Sequence, residues 1–338
     1  MHRFFFLIFC FVVTCASPVR ADEIAVRADE IAVREELKIQ VADLFWGREF
    51  GQLEELAETF RREQSRTPSG IWKLGMLYSG VSDIIGSPPA SDDRWNEVLL
   101  VIDEWIGQHP RSPTPHIAKA KFLLRLAGKI RGDAIAKDVP EGAWEPFFKT
   151  VKQVGEYLMK VKDFADQDPQ WYESMVSVAA LLNLMDGSFD SLVKEGLDKH
   201  PTYYPLYFNI AYYRLPKWHG DRHKIEELAN EAVERTQSTD GMGMYARIYW
   251  YVSSVYYGGT IFTDSDVSWP KMKRGIEDVL KQYPDQWNLN NFAYFACMAK
   301  DRSFTKELMG RIETPDISGF KNREGVYLYC KNFAEAQE

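Results

Sequence analysis

The chain of 338 residues is 45% hydrophobic and 14% aromatic, a composition that supports a continuous core and excludes intrinsic disorder. Its formal net charge is −8, and the charge becomes about −10 without residues 1–21, which carry two arginines and no acidic residue. This acidic balance argues against nucleic acid and anionic lipid as partners.

The N-terminal segment is typical of an export signal. A basic start and the apolar run 4–13 precede Val19-Arg20-Ala21, whose small final residue suits signal-peptidase cleavage before Asp22. The run is too short to span a bilayer. We therefore predict a signal peptide over residues 1–21, a periplasmic or secreted mature protein, and no membrane insertion after cleavage. An uncleaved anchor and a lipoprotein modified at Cys15 are the alternatives.

A direct duplication follows this signal. The heptad Ala-Asp-Glu-Ile-Ala-Val-Arg occupies residues 21–27 and again residues 28–34. We interpret the duplicated segment, residues 22–35, as an extension of the mature N-terminus or of the first helix. The chain beyond it lacks a flexible Gly/Ser-rich linker, so residues 36–335 are predicted to form a single domain.

Most of this domain has helical periodicity. Phe50, Leu53, Ala57 and Phe60, for example, share one face of a helix, and strand-like alternation with hairpin turns is missing from the sequence. The sequence therefore predicts an all-α protein. The predicted helices cover residues 35–46, 50–65, 70–84, 92–108, 114–129, 143–166, 170–185, 189–199, 203–214, 221–236, 241–257, 269–283, 286–299, 303–311 and 321–335.

Proline separates predicted helices at four places. Pro110, Pro169, Pro201 and Pro284 each follow one helical pattern and precede another. Proline cannot donate an amide hydrogen, and it biases the preceding residue away from the α region. The intervals are 59, 32 and 83 residues, of which only the second is near the ~34-residue period of tetratricopeptide repeats (TPR). The sequence predicts an irregular TPR-like α-solenoid of antiparallel helical hairpins, stacked into an elongated curved slab.

Two cysteines, Cys297 and Cys330, remain after the predicted cleavage and lie on predicted helices near the C-terminus. An oxidising compartment permits a disulfide, and helices of one hairpin can bring two Cα atoms within bridging distance. The alternative is a pair of buried free thiols, which pack as small hydrophobic side chains.

A possible metal site lies at His219, Asp221 and His223, because two histidines four residues apart can share one helix face. Pro216 and Gly220 indicate that the helix begins only at about Asp221, as its N-cap, so that this face does not exist. Phosphate-binding loops, nucleophile elbows and zinc-protease motifs are missing from the sequence. We expect neither a metal nor a cofactor.

Aromatic residues are concentrated in two consecutive predicted hairpins, in the ranges 203–218 and 245–257. So many large rings cannot all point inward, and aromatic side chains supply rigid contact area in binding sites. We therefore hypothesise a groove for a peptide or a glycan; inter-helical packing of the rings is the alternative. Arg247 is included because a guanidinium among rings needs a carboxylate partner or a ligand. The predicted groove residues are Trp218, Asp221, Arg247, Tyr249 and Trp250.

Several strings spread in order over the mature chain resemble a bacterial family. They are Leu53-Glu54-Glu55-Leu56-Ala57, Gly70-Ile71-Trp72-Lys73-Leu74, Arg131-Gly132, Gly142-Ala143-Trp144, Tyr204-Pro205-Leu206-Tyr207-Phe208, Leu215-Pro216-Lys217-Trp218-His219-Gly220, Tyr245-Ala246-Arg247-Ile248-Tyr249-Trp250 and the stretch Asn291 to Asp301. The chain is similar in these strings to DUF4034, a domain of unknown function related in architecture to tetratricopeptide proteins. The resemblance implies helical hairpins and supplies no activity.

Three functional hypotheses follow. The first is an exported noncatalytic helical-repeat protein that binds another protein or a peptide in the cell envelope, since repeat scaffolds commonly present binding surfaces. The second is an envelope hydrolase or glycan-processing enzyme with carboxylates in a cleft. The third is a structural or assembly component whose contacts cover the groove.

Overall fold

The computed structural model describes residues 19–85, 91–184, 187–218 and 220–336, with side chains from Glu30 onward. Residues 1–18, which hold most of the predicted signal peptide, and His219 lie outside the described residues. Within the described residues, the chain is all-α, as predicted: it has no strand, and its one isolated antiparallel bridge joins Arg66 and Trp72.

The helices follow the predicted order closely. Differences occur at the first helix, which starts at Val19; at Val161, where one predicted helix is broken into two; and after Val252, where a single π-helical turn continues to Tyr257. The short helix Ile261–Asp264 was not predicted. The helices are α1 (Val19–Trp46), α2 (Phe50–Glu63), α3 (Lys73–Asp83), α4 (Asp92–Gln108), α5 (Pro113–Arg131), α6 (Glu141–Lys160), α7 (Lys162–Ala165), α8 (Pro169–Leu181), α9 (Gly187–Lys199), α10 (Tyr204–Tyr213), α11 (Arg222–Asp240), α12 (Gly243–Val252), α13 (Ile261–Asp264), α14 (Trp269–Gln282), α15 (Gln286–Met298), α16 (Arg302–Gly310) and α17 (Glu324–Glu335).

Local chemistry explains most of these boundaries. The four predicted proline breaks are confirmed, since each proline lies between two helices or in the first position of the second one. A side-chain oxygen accepts a hydrogen bond from the first turn of the helix that follows, which satisfies an amide that has no partner within the helix. Such N-cap residues include Ser91, Ser112, Asp168, Asp221, Asp285 and Asp301.

Helices that are near one another in the chain also pack together. α8, α10, α12 and α14 contact one another in series. α9 packs against α8, α11 packs against α12, and α16 packs against α15. This succession of contacts is what a helical-repeat protein requires. The regular TPR-like geometry stays a prediction.

Among the described residues, no helix combines the length and the apolar character needed to cross a bilayer.

The array is not open-ended. α1 contacts α15 as well as α2 and α3. Residues 64–72, which we call the 64–72 loop, join α2 to α3, and the carbonyl oxygen of Ser69 in this loop accepts hydrogen bonds from Arg247 (2.9 Å) and Asn288 (3.1 Å). Our expectation of an elongated slab is wrong in this respect, because the N-terminal part of the chain packs against its C-terminal third.

The C-terminal helices are covalently linked. Cys297 on α15 and Cys330 on α17 form a disulfide, with Sγ atoms 2.14 Å and Cα atoms 5.5 Å apart, and both residues are fully buried. Of the two alternatives left by the sequence, the structure therefore has the disulfide. It ties α17 to α15, on either side of α16 in the chain.

Candidate functional site

The structure separates the five residues predicted for one groove. Tyr249 is fully buried and Arg247 is only 6% exposed. Trp250 is half-buried and packs edge-on against a phenylalanine of α15, whereas Asp221 is exposed at the start of α11. The predicted placement of Arg247 and Tyr249 in an open groove is wrong, because both residues face helix interfaces. Trp218 lines a different groove, which lies between α9 and α11.

Arg247 binds the protein's own backbone. Its guanidinium donates to the Ser69 carbonyl, and its Cζ atom lies 5.4 Å and 5.5 Å from the ring centroids of Tyr204 and Tyr283. Burial lowers the pKa of Arg247, while the nearby tyrosines and Asp240 act in the opposite direction. The partner expected for this buried arginine is thus the 64–72 loop.

The 64–72 loop is held from several sides. The guanidinium of Arg66 lies between the rings of Trp72 and Tyr204, 3.8 Å and 4.1 Å from their centroids. Trp72 donates its indole N–H to the carbonyl oxygen of Thr202 at 3.0 Å. These contacts occupy aromatic surface of α10, within the range 203–218 for which a groove was hypothesised.

Tyr249 belongs to a polar network between helices. Tyr249 and Tyr245 both donate to Oε2 of Glu226 at 2.7 Å, and Lys271 donates to its Oε1 at 2.8 Å. Burial, followed by the hydrogen bond to Glu226, raises the pKa of Tyr249. Burial alone would raise the pKa of Glu226, but the hydrogen bonds from Lys271 and the two tyrosines lower it. This network joins α11, α12 and α14 and satisfies its buried polar groups internally.

A groove of about 630 Å³ lies between α9 and α11. Near the C-terminal ends of the two helices, Asp198 and Arg235 form a 2.8 Å ion pair. The first half of α9 and most of α11, as far as Arg235, flank the groove, whose wall also includes the end of α10 and the 3₁₀ turn Pro216–Trp218. The apolar side chains of this α9–α11 groove are Phe189, Val193, Tyr213 and Trp218.

The aromatic part of this wall is held by its own contacts. The ring of Trp218 packs against Tyr212 and Tyr213, with centroids 6.0 Å and 5.2 Å away. Burial raises the pKa of Tyr213 to about 12, so it is un-ionised at neutral pH. The indole Nε1 of Trp218 is buried and has no hydrogen-bond partner among the described residues.

The charged side chains of the groove fall into two sets. Arg235 binds Asp198 and Glu231 at 2.8 Å and 2.9 Å, and Lys194 binds Asp198 at 2.5 Å. A second set makes no side-chain hydrogen bond or ion pair within the described part of the chain. It comprises Asp190, Arg214, Lys224 and Glu227. The site therefore combines an apolar wall with charges of both signs that are free to bind a ligand.

Asp221 caps α11, as predicted, by accepting a hydrogen bond from the amide of Lys224 at 2.9 Å. This backbone hydrogen bond is the main cause that lowers the pKa of Asp221. His223 and Arg222 both bind Asp266. Among the described residues, no group of three or more histidine, cysteine, aspartate or glutamate side chains is arranged to hold a metal ion.

In comparisons with protein-family models, with curated proteins and with solved structures, the chain matches none. Of the five predicted residues, only Trp218 lines the α9–α11 groove, and the sequence pattern did not indicate Phe189, Val193, Arg214 or Lys224. The aromatic density of residues 203–218 was the available signal for one wall. Nothing local marks the facing wall, because α9 and α11 are brought beside one another by tertiary packing and by the ion pair between Asp198 and Arg235.

Proposed function

We propose that the protein is an exported, noncatalytic helical protein that binds a peptide segment of another protein in the cell envelope. The α9–α11 groove is the proposed binding site. Its volume of about 630 Å³ carries the proposal, since ligand pockets typically measure ~300–1,000 Å³. The apolar wall with free charges beside it resembles the apolar centre and polar rim of protein-binding surfaces.

The surface around Tyr204 and Arg247 is a weaker candidate for this role. The 64–72 loop covers Tyr204 and Arg247, and a ligand on this surface would have to replace its hydrogen bonds to Arg247, Asn288 and Thr202. The α9–α11 groove needs no such displacement. Peptide binding there is therefore compatible with the closed array.

Site-directed photo-crosslinking tests the groove. Asp190, exposed on the α9 side, is replaced by p-benzoylphenylalanine, and the protein is illuminated in the exporting cell. p-Benzoylphenylalanine in place of Lys152, which is exposed on α6, serves as a control. We expect a defined protein adduct from position 190 and none from position 152. Peptide mapping then identifies the bound segment.

A second pair of variants links the adduct to the groove. Trp218→Ala removes part of the groove wall, whereas Trp144→Ala removes a half-buried tryptophan that stacks on Phe148, outside the groove. The first substitution should abolish the adduct and the second should leave it intact. Equal adducts from both crosslinker positions would contradict peptide binding here. Release of shortened peptides or glycans would favour the hydrolase alternative.

Export is part of the proposal and rests on the signal-like residues 1–21. N-terminal sequencing of protein from the periplasmic fraction or the medium should give Asp22 as the first residue. Ala21→Tyr should block cleavage, because signal peptidase requires a small residue there. A retained Met1 or a lipid on Cys15 would contradict cleavage after Ala21.

We likewise propose that the chain is a member of DUF4034 and that its helices have a TPR-like arrangement. The ordered strings that resemble this family support both proposals.

A further inference from the structure

The α9–α11 groove contains one arginine whose situation differs from that of the other charged groups. Arg214 follows the last residue of α10, lines the groove and is half-buried. Its guanidinium has no hydrogen-bond or ion-pair partner among the described residues. A planar guanidinium binds a carboxylate through two parallel hydrogen bonds, and that of Arg214 is available for such a pair.

The other charged side chains of the groove either have a partner already or are exposed to water. Arg235 and Lys194 already bind carboxylates of α9 and α11. Lys224 is free but exposed, so water solvates it. Asp190 and Glu227 are exposed as well, and solvent screens their repulsion of an incoming anion.

We propose that the groove binds the C-terminus of its partner, with the terminal carboxylate on Arg214 and the last apolar side chain against the aromatic wall. This inference rests on the proposed function of the groove. Phe189, Val193, Tyr213 and Trp218 supply apolar surface in the same groove as the guanidinium. A peptide C-terminus offers an apolar side chain and a carboxylate on one residue, which matches this combination of wall and charge.

Matched peptides test the inference on the full mature protein. Dye-labelled short peptides ending in Leu, Phe, Val or Ser are made both as free acids and as C-terminal amides, and binding is measured by fluorescence anisotropy. We expect free acids ending in an apolar residue to bind about tenfold or more tightly than the corresponding amides, as for a charge-assisted hydrogen bond.

Three variants assign the difference to one side chain. Arg214→Gln should abolish the preference for free acids, and Arg214→Lys should retain part of it, because lysine keeps the charge but loses the bidentate geometry. Arg274→Gln, at an exposed position of α14, should keep the full preference. Thermal unfolding checks that each variant folds, and Arg214→Gln should unfold at the same temperature as the natural protein.

Each contrary result has a distinct meaning. If acids and amides bind equally, the carboxylate inference fails while peptide binding in the groove stands. If Arg214→Gln keeps the preference for acids, Arg214 is not the carboxylate site and the inference fails. If no peptide of either kind binds, both the inference and the proposed function fail.

Discussion

Gly70 occupies a position in the 64–72 loop that no other residue type can fill without strain. Its φ of +89° is in the region that favours glycine, and a Cβ atom there would lie 2.5 Å from Nη2 of Arg247 and 2.9 Å from the ring of Tyr283. Arg247 and Tyr204, from the two segments predicted to form a groove, instead pack against this loop. Their role is decided by what packs on them, which no local pattern reveals.

We predict that Gly70→Ala destabilises the protein by about 1–3 kcal/mol, through backbone strain and the close contact with Arg247. Chemical unfolding followed by circular dichroism measures this. Gly51→Ala on α2 is the matched control, since nothing lies within 4 Å of its added Cβ atom. That variant should be unchanged or slightly more stable, because alanine is the better helix former. Equal effects at both positions would mean that the loop is not packed as described.

At the scale of the helix, one carboxylate joins two elements. Asp301 caps α16 through the amide of Phe304 and also binds Lys273 and the indole of Trp269, both on α14, at 2.9 Å and 3.1 Å. Burial would raise the pKa of Asp301, but these hydrogen bonds outweigh burial and lower it to about 2. The ionised form therefore stabilises the contact between α14 and α16.

This lowered pKa predicts a pH dependence. The ordinary pKa is 3.8, so the contribution of Asp301 is complete above about pH 4 and is lost as the pH falls toward 2. The stability difference between the natural protein and Asp301→Asn should shrink by about 1–2 kcal/mol between pH 5 and pH 2.5. Urea unfolding at the two pH values measures it. Asp133→Asn, at an exposed position, should show no such change. A constant difference for Asp301→Asn would contradict the assignment.

The disulfide acts on the same part of the fold. Replacing both Cys297 and Cys330 by alanine should lower the free energy of unfolding by about 2–4 kcal/mol, since the crosslink closes a long loop of the unfolded chain. The natural protein unfolded with a reductant should match this double variant. Because both cysteines are fully buried, reduction of the folded protein should be slow. Unchanged stability of the double variant would show that the crosslink contributes little.

The whole molecule is closed by contacts between distant parts of the chain. Glu30, the third residue of the second heptad copy, is 3% exposed and accepts hydrogen bonds from Thr67 Oγ1 (2.9 Å) and the Ser69 amide (2.8 Å). Ser69 in turn binds Arg247 and Asn288. The duplicated segment 22–35 thus does more than lengthen the first helix, because Glu30 takes part in the packing of the domain.

We predict that Glu30→Ala destabilises the protein by about 2–3 kcal/mol, since it leaves the Thr67 hydroxyl and the Ser69 amide buried without an acceptor. Hydrogen exchange should show faster exchange in the 64–72 loop and at the contact of α1 with α15. Glu36→Ala, at an exposed position of the same helix, should have little effect on either measurement. Unaltered exchange at the α1 contact would contradict the proposed role of Glu30 in closure.

Local signals in the sequence were sufficient to determine the helical elements of this protein. Apolar periodicity, the four prolines and the cap at Asp221 act over a few residues, so they predicted the all-α fold and the start of α11 at Asp221. Tertiary structure alone decided which surfaces remain open. Arg247 and Ser69 are 178 residues apart in the chain, and Asn288 and Ser69 are 219 apart. Such pairings depend on how all the intervening helices pack, and this packing covers Arg247 while it leaves Arg214 in a groove.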